Sequence, residues 1–421
     1  MNEINALKAR ARAGDNGAQY RLAAMLAQAG DTAGAKEWLE KAAASGHPGA
    51  LYTQATELLS GPAARMEPAR AAAMLQDAVD KGGLGAARLL AILKSLGLGA
   101  ATDREGARSL LAKAAAGGHP AAMREAAVLA SMAGRADDMT DALLRTAALK
   151  GDWVAAVLAL RRGGIFTAGE TENLLARLRR AGAPLLDRPG PPASTPPQSR
   201  ALRENEIAAL LESDETLDTT GKTLRENAPR IVVYEKALTP LECDYVICAA
   251  MPLLTPSAVV DPKAGAARQE SFRTSEGCAI GVADLDLALF AIWEKLCGSI
   301  GAPVPNSELM GVLRYRPGQE YRPHHDYLPA DDNDYSEVRR AGQRTHTLLV
   351  YLNDSFAGGE TVFPRLGISF RGRAGDALYF QNTDEYGVPI EDSQHAGAVV
   401  STGEKWMLTL WLRQRRFWFW K

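Results

Sequence analysis

Apolar residues recur at helical spacing through the first third of the chain, and the pattern repeats itself. Trp38-Leu39-Glu40-Lys41-Ala42-Ala43-Ala44-Ser45-Gly46-His47-Pro48-Gly49-Ala50 matches Leu110-Leu111-Ala112-Lys113-Ala114-Ala115-Ala116-Gly117-Gly118-His119-Pro120-Ala121-Ala122, with weaker copies from Met74 to Ala86 and from Leu143 to Ala155. Gly46, Gly82 and Gly118 stand 36 residues apart, and Gly14 and Gly151 extend the series at slightly shorter steps. Each unit predicts an amphipathic helix, a glycine that ends it, and a second helix with small residues at the crossing. About four to five such units predict an α-solenoid over residues 5–165.

The pattern then breaks. Pro184, Pro189, Pro191, Pro192, Pro196 and Pro197 make 182–200 a semi-rigid linker. Residues 201–228 follow as a connecting helical segment around Ile207-Ala208-Ala209-Leu210-Leu211, acidic overall, expected to pack on the outside of the next domain. From Pro229 the texture is that of strands. Arg230-Ile231-Val232-Val233-Tyr234 predicts a strand, Pro240-Leu241-Glu242-Cys243-Asp244 opens a helix, and short strands between turn residues continue to Leu412. The expected fold class is multidomain α + β: an N-terminal α-solenoid, then a double-stranded β-helix (jelly-roll) with supporting helices over 229–414. The tail 415–421 carries Phe417-Trp418-Phe419-Trp420, read first as packing and second as a dimer contact, which leaves a homo-oligomer open.

Bulk properties narrow the function. A chain of 421 residues exceeds one core, and a formal net charge of −2 argues against nucleic acid as obligatory partner. Without a run of eighteen apolar residues no membrane span is expected. The four cysteines contain no C-x-x-C pair and read as buried thiols in a cytoplasmic protein.

The chemistry concentrates between Tyr315 and Lys405. His324 and Asp326 lie two apart in an extended segment, so both can face one metal ion while His325 faces away. His395 would complete a 2-His-1-carboxylate set, the pattern of non-haem Fe(II) oxygenases. The same three ligands would also suit a zinc hydrolase, although no H-E-x-x-H is present, and a non-catalytic scaffold is the third reading. His47 and His119 precede proline at the same repeat position and read as turn residues rather than ligands.

Around the ligands stand Arg273-Thr274-Ser275 with Gly277, Tyr315 with Gly318, Arg344 and Thr347 before Tyr351-Leu352-Asn353, Gly358-Gly359-Glu360-Thr361-Val362-Phe363-Pro364, Gly375-Asp376, and Gly403-Glu404-Lys405-Trp406. In these motifs residues 229–414 resemble the prolyl 4-hydroxylase family of Fe(II)/2-oxoglutarate oxygenases, and the repeats resemble Sel-one-like, tetratricopeptide-related units. The resemblance implies Fe(II), 2-oxoglutarate and O2, with ascorbate left open as an ancillary reductant, and His324, Asp326 and His395 as the metal-binding catalytic residues. It also implies Lys405, Tyr315 and Thr347 on the distal carboxylate of 2-oxoglutarate, and Arg273, Tyr321 and Trp411 as substrate contacts. A hairpin at Ser401-Thr402-Gly403-Glu404 would pair Lys405 near Val400, within reach of His395 through one cosubstrate. The implied substrate is a prolyl residue in a protein or peptide that the repeats help to present; another residue or a free small molecule stays open. Asp326 being present, hydroxylation is expected rather than halogenation. Two loops, 261–270 and 328–342, are candidate lids. Gly311 stands where the family often has glutamine, and Arg413 where it often has histidine; both departures bear on substrate choice.

Overall fold

The computed structural model describes residues 2–60, 66–135, 138–182, 189–197, 202–211, 221–257, 259–260, 267–268, 274–282, 284–328 and 340–417. The first half forms helices α1 (Asn2–Arg12), α2 (Asn16–Gln28), α3 (Thr32–Ala44), α4 (Pro48–Leu58), α5 (Pro68–Asp80), α6 (Leu84–Leu96), α7 (Arg104–Ala116), α8 (Pro120–Met132), α9 (Asp138–Leu149), α10 (Trp153–Arg162) and α11 (Ala168–Arg180). Gly46, Gly82 and Gly118 end α3, α5 and α7 with φ of 75°, 82° and 88°. That left-handed conformation is open to glycine at little cost, so the repeat of glycines is a repeat of helix stops. His47 and His119 act as helix caps. In each, Nδ1 accepts a backbone amide at 3.3 Å, from Ala50 at the start of α4 and from Ala122 at the start of α8. Alanines at 0 % exposure (Ala42, Ala78, Ala114, Ala122) let neighbouring helices approach closely.

Helix α12 (Glu204–Leu210), expected on the outside of the next domain, packs mainly on the repeats instead. It packs against α7 and α8, burying Ile207 and Leu210. These two side chains are the main apolar grip a seven-residue helix offers, and the repeat helices supply the matching surface.

The second half contains β1 (Lys222–Arg225), β2 (Ile231–Tyr234), α13 (Pro240–Ala250), β3 (Thr255–Pro256), β4 (Glu276–Ala279), α14 (Leu287–Ser299), β5 (Gly311–Tyr315) and β6 (Tyr321–His324). It continues with β7 (Arg344–Tyr351), β8 (Thr361–Phe363), β9 (Ile368–Phe370), β10 (Ala377–Gln381), β11 (His395–Gly397) and β12 (Lys405–Arg413). An eight-stranded antiparallel sheet runs β1-β2-β10-β7-β12-β5-β4-β3, and a four-stranded one runs β9-β8-β11-β6. Period-two alternation assigns each long strand two apolar faces. In β12, Trp406, Leu408, Leu410 and Leu412 join the core with α13 and α14, while Met407 turns to a second cluster with Tyr315, Tyr351 and Phe356. The large sheet is thus helix-backed on one side and free to line a cavity on the other.

The second helices of the repeats dock on this domain, α6 and α8 against α14, α8 and α10 against α13. Asp286, which caps α14 by accepting the Leu289 amide at 2.9 Å, also meets Arg88 at 3.3 Å, Arg124 at 3.7 Å and the Tyr245 hydroxyl. Arg161 reaches Asp244 at 3.1 Å.

Candidate metal centre

His324 ends β6 and His395 begins β11, and the two are directly opposed in the register of the small sheet. Asp326 follows two residues after His324. Their ligand atoms all lie within 4.8 Å of one another, with His324 Nε2 3.6 Å from Asp326 Oδ1 and His395 Nε2 3.5 Å from Asp326 Oδ2. His324 Nδ1 is 2.8 Å from the Arg322 carbonyl and His395 Nδ1 is 3.1 Å from that of Ser393. Donation from Nδ1 to those carbonyls fixes the tautomer and leaves both Nε2 lone pairs for a cation. His325 is directed elsewhere, its Nε2 3.1 Å from the Glu391 carbonyl.

Electrostatics prepare the same state. Burial pushes the His395 imidazole down to about 4, so it is neutral at physiological pH. Burial acts to raise the Asp326 carboxyl, but the two imidazoles and the Thr347 hydroxyl override it and hold it well below the usual carboxylate range. Two imidazoles and one carboxylate converging on a common point form a donor set that suits a ferrous ion.

The Thr347 hydroxyl donates to Asp326 Oδ2 at 2.7 Å and accepts from Asn382 Nδ2 at 2.9 Å. This is a different place from the one expected for it. Thr347 pairs with Trp411 in the register, six residues along β12 from Lys405, roughly 20 Å of strand. It therefore orients the carboxylate ligand and does not share an anion with Lys405. The hairpin register is corrected too: Lys405 pairs with Tyr315 of β5, while Val400–Thr402 pairs with Ala357–Gly358.

Lys405 lies at the other end of the cavity and is 3 % exposed. Its amine donates to the Gly359 carbonyl at 2.6 Å and lies 5.5 Å and 5.2 Å from the rings of Tyr315 and Tyr351. Among the described residues no carboxylate is within ion-pair distance of it. Burial lowers its pKa to about 7, only partly opposed by Glu360. Gly359 makes the approach feasible: a Cβ there would stand 3.1 Å from Lys405 Cδ, and its φ is +68°. A buried cation without a counter-anion is costly until an anion arrives. The residues present therefore fit both absent groups: three converging ligand atoms for a divalent metal, and a buried amine for a carboxylate.

Tyr321 stacks on His324 with centroids 3.5 Å apart, and Trp411 lies under the Arg344 guanidinium at 3.8 Å; both line the cavity. Arg273, the loop 261–270 (apart from 267–268) and 329–339 of the second candidate lid lie outside the described residues, as do Trp418, Phe419 and Trp420. Arg413 serves structure, pairing with Glu308 at 2.8 Å and donating to the Gly342 carbonyl at 3.0 Å. Two residues that brace the site from behind its lining, through Thr361 and Thr347, carry no role in the sequence reading. Tyr351, bonded to Thr361 at 2.8 Å, is accessible by counting two-residue steps along β7 from Thr347; Asn382, just beyond the end of β10, carries no local signal.

Comparison with known proteins agrees with this geometry. Residues 310–413 match the 2OG-Fe(II) oxygenase superfamily. Prolyl 4-hydroxylase 1 of Arabidopsis thaliana is 38 % identical over 202 residues, covering 45 % of this chain and 70 % of that protein. The chain belongs to the 2OG-Fe(II) oxygenases, with a prolyl 4-hydroxylase-like C-terminal domain. Among solved structures, the 2-oxoglutarate complex of a viral collagen prolyl hydroxylase from Paramecium bursaria Chlorella virus-1 is 27 % identical, with a TM-score of 0.34 over 44 % of this chain and 95 % of that one. A Sel1 repeat protein from Oxalobacter formigenes is 28 % identical, with a TM-score of 0.27 over 29 % of this chain and 95 % of that one. As an oxygenase of this family the chain uses Fe(II) and 2-oxoglutarate, and the three ligand atoms and the Lys405 amine are where such a pair would be held.

Proposed function

We propose that this oxygenase hydroxylates prolyl residues in a protein or peptide substrate. The observation that carries the reading is the buried Lys405 amine, without a carboxylate partner among the described residues, in the same cavity as His324, Asp326 and His395. Iron and 2-oxoglutarate, when bound, supply the oxidising power for an unactivated C–H bond, with succinate and CO2 as the cosubstrate's products. The chain's own residues bind and orient. His324, Asp326 and His395 would hold the metal and Lys405 would neutralise the distal carboxylate, while Leu313, Leu349 and Met407 keep the cavity walls apolar and dry. Prolyl specificity is supported by the names of the relatives, several of which are prolyl 4-hydroxylases. The repeats give an extension of the same body, suited to engaging a macromolecular substrate. Four free cysteines, three of them buried, support a reducing compartment such as the cytoplasm.

Succinate release and gain of one oxygen mass by proline-containing peptides test the reading directly. Turnover of 2-oxoglutarate by the His324→Ala protein equal to that of the unaltered enzyme, or peptides left unmodified by active enzyme, would reject it.

A further inference from the structure

The face by which the repeats meet the oxygenase domain carries a buried cluster of charge. Glu125 of α8 is 0 % exposed, and Asp286, just before α14, is 4 % exposed. Glu125 Oε1 pairs with Arg88 of α6, and its Oε2 accepts the Leu287 amide of α14 at 3.2 Å, so this one carboxyl spans the two domains. Arg88 also meets Asp286 at 3.3 Å, and Arg124 of α8 is shared between Asp286 at 3.7 Å and Asp152, just before α10. From α13 the Tyr245 hydroxyl donates to Asp286. Among the described residues the cluster therefore sets three carboxylates against two guanidinium groups, which leaves one negative charge in excess.

An uncompensated buried carboxylate is costly, and a bound proton removes the charge. Two of the three acids are poor places for that proton. Asp286 and Asp152 cap α14 and α10, accepting the amides of Leu289 at 2.9 Å and Ala155 at 2.7 Å, and the positive end of a helix favours their charged forms. Glu125 lies in the middle of α8, and burial pushes its carboxyl up to about 7; Arg88 and Arg124 oppose the rise and Asp286 adds to it. Opening the junction lets water reach Glu125 and removes the burial that raised it. The closed junction thus holds a proton that the open one releases. His119, which caps α8, works in the opposite sense. Burial and the two arginines lower its imidazole, so opening lets it take up a proton.

We propose that the junction between the repeats and the oxygenase domain is a proton-operated latch, in which Glu125 keeps one proton in the closed state and the junction loosens when that proton is lost. The sign follows from linkage. A carboxyl that binds its proton more tightly in the closed state favours closure at low pH, and the advantage is lost as pH rises from the ordinary 4.5 to about 7. The opening equilibrium grows by up to about tenfold per pH unit across that window and levels above it. Hydrogen exchange of the full-length protein measures the opening, read by mass spectrometry on peptides spanning α8 and the first half of α14 and corrected for the intrinsic rate at each pH. Protection of these peptides in the parent should fall by about tenfold or more between pH 5.5 and 7 and then level, while peptides of α2, outside the cluster, stay constant. Glu125→Gln cannot ionise but keeps a carbonyl for Arg88 and the Leu287 amide, and it should abolish the fall. Asp152→Asn removes the excess charge while keeping a capping side chain, so it should shrink the fall; it decides the matter should Glu125→Gln fail to fold. Parent protection that is flat or rises with pH, the direction His119 alone would give, overturns the latch. So does a fall that persists undiminished in the variants.

Discussion

Replacing Lys405 with methionine removes a charge while keeping most of the volume, and it should change stability and cosubstrate binding in opposite directions. The amine's pKa is 10.5 in an unfolded chain and about 7 in the fold. Because the folded value is the lower one, folding is penalised wherever the unfolded lysine is charged: fully below pH 7, decreasingly between 7 and 10.5, and not above. At pH 7.5 about 4 kcal/mol of that penalty still acts against the folded state. The bond to the Gly359 carbonyl, which the neutral amine keeps and methionine lacks, offsets roughly 1.5 kcal/mol of that. Lys405→Met should therefore stabilise the metal-free, cosubstrate-free protein by about 2.5 kcal/mol, raising the urea midpoint for the C-terminal domain. The same change leaves a bound distal carboxylate unpaired in an apolar cavity, so affinity for 2-oxoglutarate should fall on the order of 100-fold or more. Urea unfolding of the metal-free protein and calorimetric titration of 2-oxoglutarate into the Mn(II) form measure the two effects. A variant that is less stable than the parent yet binds 2-oxoglutarate equally well would overturn this account of Lys405.

Other consequences are open to direct measurement. Since a carboxylate partner raises the Lys405 pKa, 2-oxoglutarate binding should take up a proton above pH 7, and its affinity should weaken by up to about tenfold per pH unit from there upward; an affinity flat from pH 7 to 9 contradicts this. Thr347→Val frees Asp326 to rotate and should weaken Fe(II) or Mn(II) binding by about 10- to 100-fold in anaerobic titrations, with the fold retained. Asp286→Ala strips the α14 cap and leaves Arg88 and Arg124 short of a counter-charge at the repeat junction; a loss of about 3 kcal/mol in denaturant unfolding is expected, and less than about 1 would show the network to be dispensable. Gly359→Ala forces a Cβ against Lys405 at positive φ and should destabilise by about 1–3 kcal/mol, read by thermal melts.

Local information reaches far in this protein. The helix-glycine-helix repeat is legible because a left-handed stop at Gly46, Gly82 and Gly118 is a property of single residues. His324 and Asp326 are legible because two-residue spacing on an extended segment puts both on one face. His395 is placed by motif rather than by distance, since nothing local says that β11 lies beside β6. Where the expectations fail, they fail on pairing. Thr347 and Lys405 share the barrel, but strand register alone puts them at opposite ends of it. Helix α12 is expected on the wrong neighbour because an amphipathic helix states which face it buries and not against what.

Residue type at short range is enough to write down the helices, the strand faces, the ligand chemistry and the family of this chain before any fold is known. It took the folded chain to reveal that Thr347 and Asn382 steady Asp326, and that the Lys405 amine stands buried with no carboxylate beside it among the described residues. Those facts depend on distances between segments far apart in the chain, and such distances are set by packing and register, which no single stretch encodes.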